Sequence, residues 1–443
     1  MTPRPQNHLT AGPQSREYSS YRWTVCAMIF FATTINYVDR QVIGILKPVL
    51  DSQLGIGEKE YSYIIVTFQL FYAFGMAVTG RLIDKFGTKT GYGISVFFWS
   101  LVAMGHAFAR GVVSFGFWRA LLGISESGNF PAAIKSITEW FPKKERALAT
   151  GIFNSGTNIG AIIAPVAVPA ILALWGWQAA FIITGALGFI WLVCWIIWFE
   201  VPEKQKRASP AELAYIRSDS EVSVVSAGSL PFKRLIRYRQ TWVYFVGKSM
   251  TDPIWWFFLF WIPGWLNQVR HTGLDLKTFG LPLVIIYSLT TIGSIAGGWL
   301  SSFLIRKNMI PFRARRITML IFALLVTPVV LASSPSVSTW SAVILIGVAM
   351  AAHQAWSANM YTTASDAFPK EVVSTVTGFG GMAGALGGAF ISYLAGFVLD
   401  FYQKRGHIET GYVVMFTIAG SAYLLAWIIM TILQPKEKPV SLN

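Results

Sequence analysis

Charge is what this chain has least of. Only 13% of its 443 residues are Asp, Glu, Lys or Arg, where soluble proteins carry about 25%, and so thin a supply cannot coat an ordinary water-soluble domain. Cysteine is rarer still. Cys26 and Cys194 are the only two, both inside apolar runs, where they read as small packing residues rather than as a disulfide or metal ligands. No His-Glu-x-x-His, Gly-x-Ser-x-Gly or clustered Cys/His pattern occurs, so no catalytic nucleophile, metal site or cofactor site is expected, and the chain does not read as an enzyme. It also has no Asn-x-Ser/Thr acceptor, which is consistent with a bacterial plasma membrane.

What the chain has in abundance is apolar length. Hydrophobic residues make up 54% of it, and runs near or beyond the roughly 20 residues that cross a bilayer recur throughout. Twelve spans are predicted, at 23–46, 62–83, 90–109, 111–138, 147–174, 178–199, 241–268, 279–304, 316–334, 338–365, 374–400 and 411–434. The fold class is therefore an all-α integral membrane protein. The longest polar stretch, 200–240, mixes charge, Ser and Pro as a surface linker does, and it is too short for a catalytic domain. It separates an N-terminal tail (1–22) and a six-span bundle (23–199) from a second six-span bundle (241–434) and a C-terminal tail (435–443). The first twenty residues lack the apolar core of a cleavable signal, so targeting is expected to rest with the first span.

A formal net charge of +15 raises nucleic acid as a partner, but the placement of the basic residues argues against it. Lys85, Lys89, Lys143, Lys144, Arg146, the 200–240 cluster, Arg306, Lys307, Arg313, Arg315 and Arg316 fall in alternate loops, on one side with both termini. The other loops carry little beyond Lys59, Arg110, Arg270, Lys277, Lys404 and Arg405. By the positive-inside rule both termini are expected in the cytoplasm, and the expected partners are the lipid bilayer and a small solute, with the protein a monomer.

Two segments repeat. "EWFPKKERALATG" from Glu139 and "DAFPKEVVSTVTG" from Asp366 keep the acid, Phe-Pro-Lys and Thr-Gly at one offset, 366 − 139 = 227, close to half the chain. "GRLIDKFGTKTG" from Gly80 has a weaker counterpart in "GGWLSSFLIRKN". Two pseudo-symmetric halves of six helices are the internal symmetry of transporters whose binding site lies between repeats. Within the Gly80 motif, Asp84 is an anion suited to a neighbouring helix N-terminus.

The spans also contain charge. "INYVDRQVIGIL" places Asp39 and Arg40 side by side in the first, and Arg119 and Glu126 share a face of the fourth, about 10.5 Å apart along the axis. Each such group costs about 2.5–3.5 kcal/mol at a helix centre, so these four are expected to line a polar cavity or to pair between helices. A carrier that brings a monovalent anion into a negative interior works against about 2.3 kcal/mol per 100 mV, which one accompanying proton cancels. Arg40 is the choice for the substrate carboxylate, since a guanidinium stays charged and grips both oxygens. Asp39 and Glu126 are the choice for the protons, because burial favours the protonated acid and a nearby arginine the ionised one. Arg119 is expected to be the resting partner of Glu126.

The "GRLIDKFG" loop, the twelve spans and the doubled repeat resemble the major facilitator superfamily. "NYVDR", "RALLGISESGNFPAAIKSITEWFPKKERA" and "GIFNSGTNIGAIIAP" resemble its anion:cation symporter branch, and "FGTKTGYG", "WQAAFIITGALGFIW" and "AHQAWSANMYTTASDAFPKE" are most similar to bacterial hexuronate transporters. The resemblance runs from about residue 20 to 435. It implies import of a sugar-acid anion such as glucuronate or galacturonate with protons by alternating access, with an aldonate or other carboxylate symporter, or a proton-coupled exporter, as the alternatives. It implies that Asp39, Arg40, Arg119 and Glu126 are the coupling and binding groups, and that Asp84 and Arg146 close the cytoplasmic side.

A sugar needs many hydrogen bonds. Tyr37, Tyr72, Asn154, Thr157 and Asn158 are candidates in the first half, and Gln354, Ser357, Tyr361, Ser365 and His353 in the second, with Trp255, Trp256 and Tyr287 available to stack on the ring. Lys248 and Asp252, one turn apart, read as a local ion pair at a helix end. The eleventh span, "TGFGGMAGALGG", departs from the family by offering glycines where some relatives present an amide.

Overall fold

A computed structural model describes residues 19–56, 58–218, 232–270 and 281–434; Lys277, both extreme tails and the middle of the 200–240 stretch lie outside them. The helices, in chain order, are α1 (Tyr21–Leu54), α2 (Glu58–Phe86), α3 (Thr88–Gly105), α4 (Val112–Glu126), α5 (Asn129–Trp140), α6 (Lys143–Trp198), α7 (Pro210–Ile216), α8 (Phe232–Leu235), α9 (Arg239–Gln268), α10 (Leu281–Arg306), α11 (Pro311–Val326), α12 (Thr339–Ala367), α13 (Val373–Gln403) and α14 (Ile408–Leu433). No strand occurs among the described residues.

Among the described residues, eight helices are long and apolar enough to cross a membrane by length and composition. Twelve rods follow from the geometry. α6 counts as two, because its 56 residues run far past one bilayer and Gly176, at φ +82°, breaks the helical path where only glycine is comfortable. α4 and α5, 15 and 12 residues long, form one interrupted rod. With α7 and α8 set aside as short, the remaining helices complete the dozen. The expected unbroken span 111–138 is thus corrected to two helices meeting at Ser127 and Gly128, where a Cβ on Gly128 would collide with Ser95 of α3.

The 200–240 stretch is also less detached than a surface linker. Ser209 caps α7, accepting from the Glu212 backbone N–H at 3.2 Å, and Pro210 supplies its first turn. Glu212 is fully buried. Its carboxylate accepts from the Tyr21 backbone N–H at 2.9 Å and from Arg22 Nη1 at 3.0 Å, so α7 is fastened to the start of α1. Arg22 also reaches Glu145 at 2.9 Å.

The exterior is apolar and the interior unusually polar. Val113, Val166, Phe390 and Tyr393 stand exposed, while Thr33, Asn36, Asp39, Glu126 and Asn158 are buried, the reverse of the water-soluble pattern. Between the halves, α2 packs on α13 and α6 on α10. The repeat is visible atom by atom at these seams. A Cβ on Gly80 would strike the Ser374 carbonyl and one on Gly298 the Ala147 carbonyl; a Cβ on Gly151 would strike the Ser294 carbonyl and one on Gly378 the Met76 carbonyl. The offsets are constant, 298 − 80 = 294 − 76 = 218 on one side and 374 − 147 = 378 − 151 = 227 on the other. The two seams are copies with the halves exchanged.

Candidate functional site

A cavity of about 60 Å³ lies between the halves. α1 contributes Tyr37 and Arg40, α2 Tyr72, and α6 Asn154 and Thr157; α12 answers with His353, Gln354, Ser357 and Tyr361. Phe130 of α5 and, from α9, Lys248, Asp252, Trp255 and Trp256 complete the main walls. Such a space holds a few waters and is well below the roughly 300 Å³ of an open ligand pocket, so the halves are drawn tightly together here. A larger groove of about 760 Å³ runs along α2, α3 and α4. It carries no charged side chain, and the charged residues gather around the smaller cavity instead.

Arg40 dominates one wall. Its Nε donates to Glu126 Oε2 at 2.6 Å, the Glu126 side chain fully buried and that of Arg40 nearly so, and its guanidinium lies 4.5 Å from the Tyr72 ring, 4.9 Å from Tyr37 and 5.3 Å from Phe68. Three aromatic faces and one carboxylate therefore hold the cation in place of water. The pairing is not saturated: Arg40 Nη2 and Glu126 Oε1 have no hydrogen-bond partner. Arg119 does not pair with Glu126, contrary to the expectation from α4 alone. Two turns separate them along one face, and Arg119 instead donates through Nη2 to the Arg40 carbonyl at 3.4 Å, with its guanidinium near Phe68. The arginine that reaches Glu126 comes from another helix, which spacing along α4 cannot disclose.

Asp39 points away from the cavity. It is 3% exposed, neither carboxylate oxygen has a hydrogen-bond partner, and Thr184 of α6 supplies the hydroxyl nearest to it. Glu126 and Arg119 are its charged neighbours. Asn158, also buried, has an amide without partners and stands off the cavity wall.

Of the hydrogen-bonding candidates, Asn154 and Gln354 bond to each other across the halves, and Thr157 Oγ1 donates to the Asn154 carbonyl at 2.8 Å. Trp255 stacks on His353 at 5.1 Å and 14°, and His353 Nδ1 meets the Tyr423 hydroxyl at 2.6 Å. Tyr287 and Ser365 lie off the wall. Lys248 and Asp252 lie elsewhere than the helix end expected of them. They do form an ion pair, at 2.6 Å, but in the body of α9 and facing the cavity rather than at a helix end. An i, i+4 pair looks alike in either setting, and only the packing of α9 against α12 and α13 sets its depth.

At the end bearing the basic loops the halves are locked. Asp84 accepts from the Thr375 backbone N–H at 2.7 Å, from Thr375 Oγ1 at 2.6 Å and from the Ser374 N–H at 3.3 Å, which puts a carboxylate on the N-terminus of α13. Lys135 holds its other side at 2.8 Å. Arg146 donates to the Ser365 carbonyl at 2.7 Å and lies 3.3 Å from Asp366, while Arg315 bridges Asp366 at 3.2 Å and the Lys143 carbonyl at 2.7 Å. Neither Lys135 nor Arg315 stood out in the sequence as a locking residue.

The profile of the Major Facilitator Superfamily matches residues 29–392. The chain is 32% identical over 429 residues to the hexuronate transporter of Escherichia coli K12, covering 95% of this chain and 96% of that protein. It is 33% identical over 281 residues to the galacturonate transporter of Dickeya chrysanthemi, covering 63% and 81%. The solved fucose:proton symporter of E. coli superposes with a TM-score of 0.68 at 16% identity, over 94% of this chain and all of that one, a likeness of fold.

Proposed function

The chain belongs to the major facilitator superfamily, and from that premise we propose that it carries a sugar-acid anion, a hexuronate such as glucuronate or galacturonate, across a membrane together with protons. It is a multi-pass membrane transporter and not an enzyme. The observation that carries the reading is the Arg40–Glu126 pair, a guanidinium on the wall of the inter-half cavity, held by one carboxylate and with Nη2 still free.

In this reading a proton reaching Glu126 removes the charge that occupies Arg40, and the substrate carboxylate takes its place between Tyr37 and Tyr72. Substrate and proton then favour one another at a single guanidinium, which is a coupling mechanism with differential contacts in its two states. Asp39, buried with Glu126 and Arg119 as its charged neighbours, is the second proton site. Asn154, Thr157, Gln354, Ser357 and Tyr361 receive the hydroxyls once the halves part, and Trp255 and Trp256 receive the ring. Arg119 acts through α1, fixing the backbone of Arg40 rather than touching substrate. The contacts of Asp84 and Arg146 close the basic end, which the positive-inside rule assigns to the cytoplasm with both termini, so substrate enters from the opposite side. The exposed apolar belt faces lipid around a monomer.

Uptake of radiolabelled glucuronate or galacturonate into proteoliposomes under an imposed inward proton gradient tests this. Uptake is expected to rise with the gradient. In Asp39→Asn the gradient dependence is expected to weaken, Glu126 being left as the one coupling site, while substrate exchange at equal pH persists. Uptake indifferent to the gradient in the unaltered protein would remove the coupling.

A further inference from the structure

The mechanism above leaves one charged pair on the cavity unused. Lys248 is 2% exposed, lies 2.6 Å from Asp252, donates to the Tyr361 hydroxyl at 3.2 Å and sits 4.3 Å from the centre of that ring. Tyr361 in turn stacks on Phe130 at 5.4 Å, so the ammonium is aimed at the contact between the halves. The pair has a structural cause in α13. A Cβ on Gly384 would collide with the Asp252 carboxylate, so the glycine vacates the space that the carboxylate fills. The glycine-rich eleventh span and the charged pair on α9 are thus one feature.

A purely structural role is a poor account of it. Buried ion pairs rarely outdo apolar packing in stability, and this one stands where a solute would sit. The cavity then has two cations from opposite halves, each resting on its own acid: Arg40 on Glu126 and Lys248 on Asp252. A monocarboxylate needs only the first.

We propose that Lys248 is a second anion pole of the cavity, so that the site accepts sugar acids with a carboxylate at each end, Arg40 taking one and Lys248 the other. This rests on the sugar-acid reading above and narrows it. The extra negative charge of such a substrate is balanced when Asp252, like Glu126, takes a proton and releases its cation. The titratable groups facing the pair are Tyr37 on α1, Tyr72 on α2, Tyr244 on α9 itself, His353 and Tyr361 on α12, and Tyr423 on α14, with Arg40 across the cavity. α13 presents glycine at 384 and adds no charge.

Glucuronate and glucarate make the test, since they share a carbon skeleton and differ in whether C1 is an aldehyde or a carboxylate. In proteoliposomes, glucarate is expected to compete with labelled glucuronate for the unaltered protein. Lys248→Met should raise the glucarate concentration for half inhibition at least about tenfold more than it raises the KM for glucuronate. Lys248→Arg, which keeps the cation, should retain most of the glucarate competition, and Gly384→Ala, which crowds Asp252, should weaken it. Equal loss of both substrates in Lys248→Met, with no rescue by arginine, would assign the lysine to structure and overturn the proposal. So would failure of glucarate to compete while glucuronate is taken up. Absence of uptake of either compound by the unaltered protein would instead bring down the sugar-acid reading itself.

Discussion

The two halves agree at the basic end and differ at the cavity. At the seams, Gly80 against Ser374 is repeated by Gly298 against Ala147, and Gly151 against Ser294 by Gly378 against Met76. Thr88 Oγ1 donates to Glu139 at 2.8 Å in the first half, and Arg315, 227 positions beyond Thr88, bridges to Asp366, 227 beyond Glu139, in the second. At the cavity the correspondence ends. The first half brings Arg40, backed by Glu126, whereas the second brings Lys248 paired with Asp252, beside His353, Gln354, Ser357 and a group of aromatic rings. Closing a rocking pair of bundles needs matched surfaces, which favours keeping the repeat. Holding an asymmetric solute needs different chemistry on its two sides, which favours losing it.

The sharpest way to break this comparison is at Glu126. Glu126→Gln leaves Arg40 buried without a counter-charge, a change of about 3–5 kcal/mol for such pairs, and gradient-driven uptake should fall at least about 100-fold. Retained uptake would mean that the first half is no more specialised for charge than the second. The seams come next. Leucine at Gly80 or at Gly298 overpacks only the closed basic end, at a cost of about 1–3 kcal/mol, so each should shift the open-to-closed balance about 5- to 150-fold. The two substitutions should slow uptake to similar extents, whereas Gly116→Leu, at a position with open space around it, should not. Unequal effects at Gly80 and Gly298 would break the claim that the seams are copies.

The smallest effect is expected outside the membrane, at Lys89 and Glu200. They pair at 2.9 Å, each about a third exposed, and the hydrogen bond from Lys89 holds the Glu200 carboxyl below its usual range against a smaller opposing effect of burial. A lowered carboxylate stabilises the fold above its unfolded value, near pH 4.3, and loses that contribution as pH falls through the folded one. At this exposure it amounts to no more than about 0.5 kcal/mol. Lys89→Ala should therefore lower the melting temperature slightly at pH 7, and by progressively less as the pH falls below the unfolded value.

Much of the fold could be read from the chain because the bilayer penalises charge so steeply. Asp39, Arg40, Arg119 and Glu126 stand out against apolar neighbours, and the Phe-Pro-Lys segments mark the repeat. Pairing could not be read. Arg40 rather than Arg119 meets Glu126 because α1 crosses α4 with that face turned inward, and Asp39 turns away because adjacent residues on a helix point about 100° apart. The depth of Lys248 was hidden for the same kind of reason: its i, i+4 partner is local, and the glycine that makes room for the pair is more than 130 positions away, since 384 − 252 = 132.

The sequence by itself determined that this is a helical membrane protein of two related halves, because apolar length and scarce charge are properties of composition and order. It also placed Asp39, Arg40, Arg119 and Glu126 at membrane depth, though not Lys248 and Asp252. Only the tertiary structure decided which acid rests on which cation, which charges face the cavity and which are shut behind α1, and that α9 and α13 share one charged site. Those outcomes depend on the rotation and crossing of packed helices, and a guanidinium finds its carboxylate through space rather than along the chain.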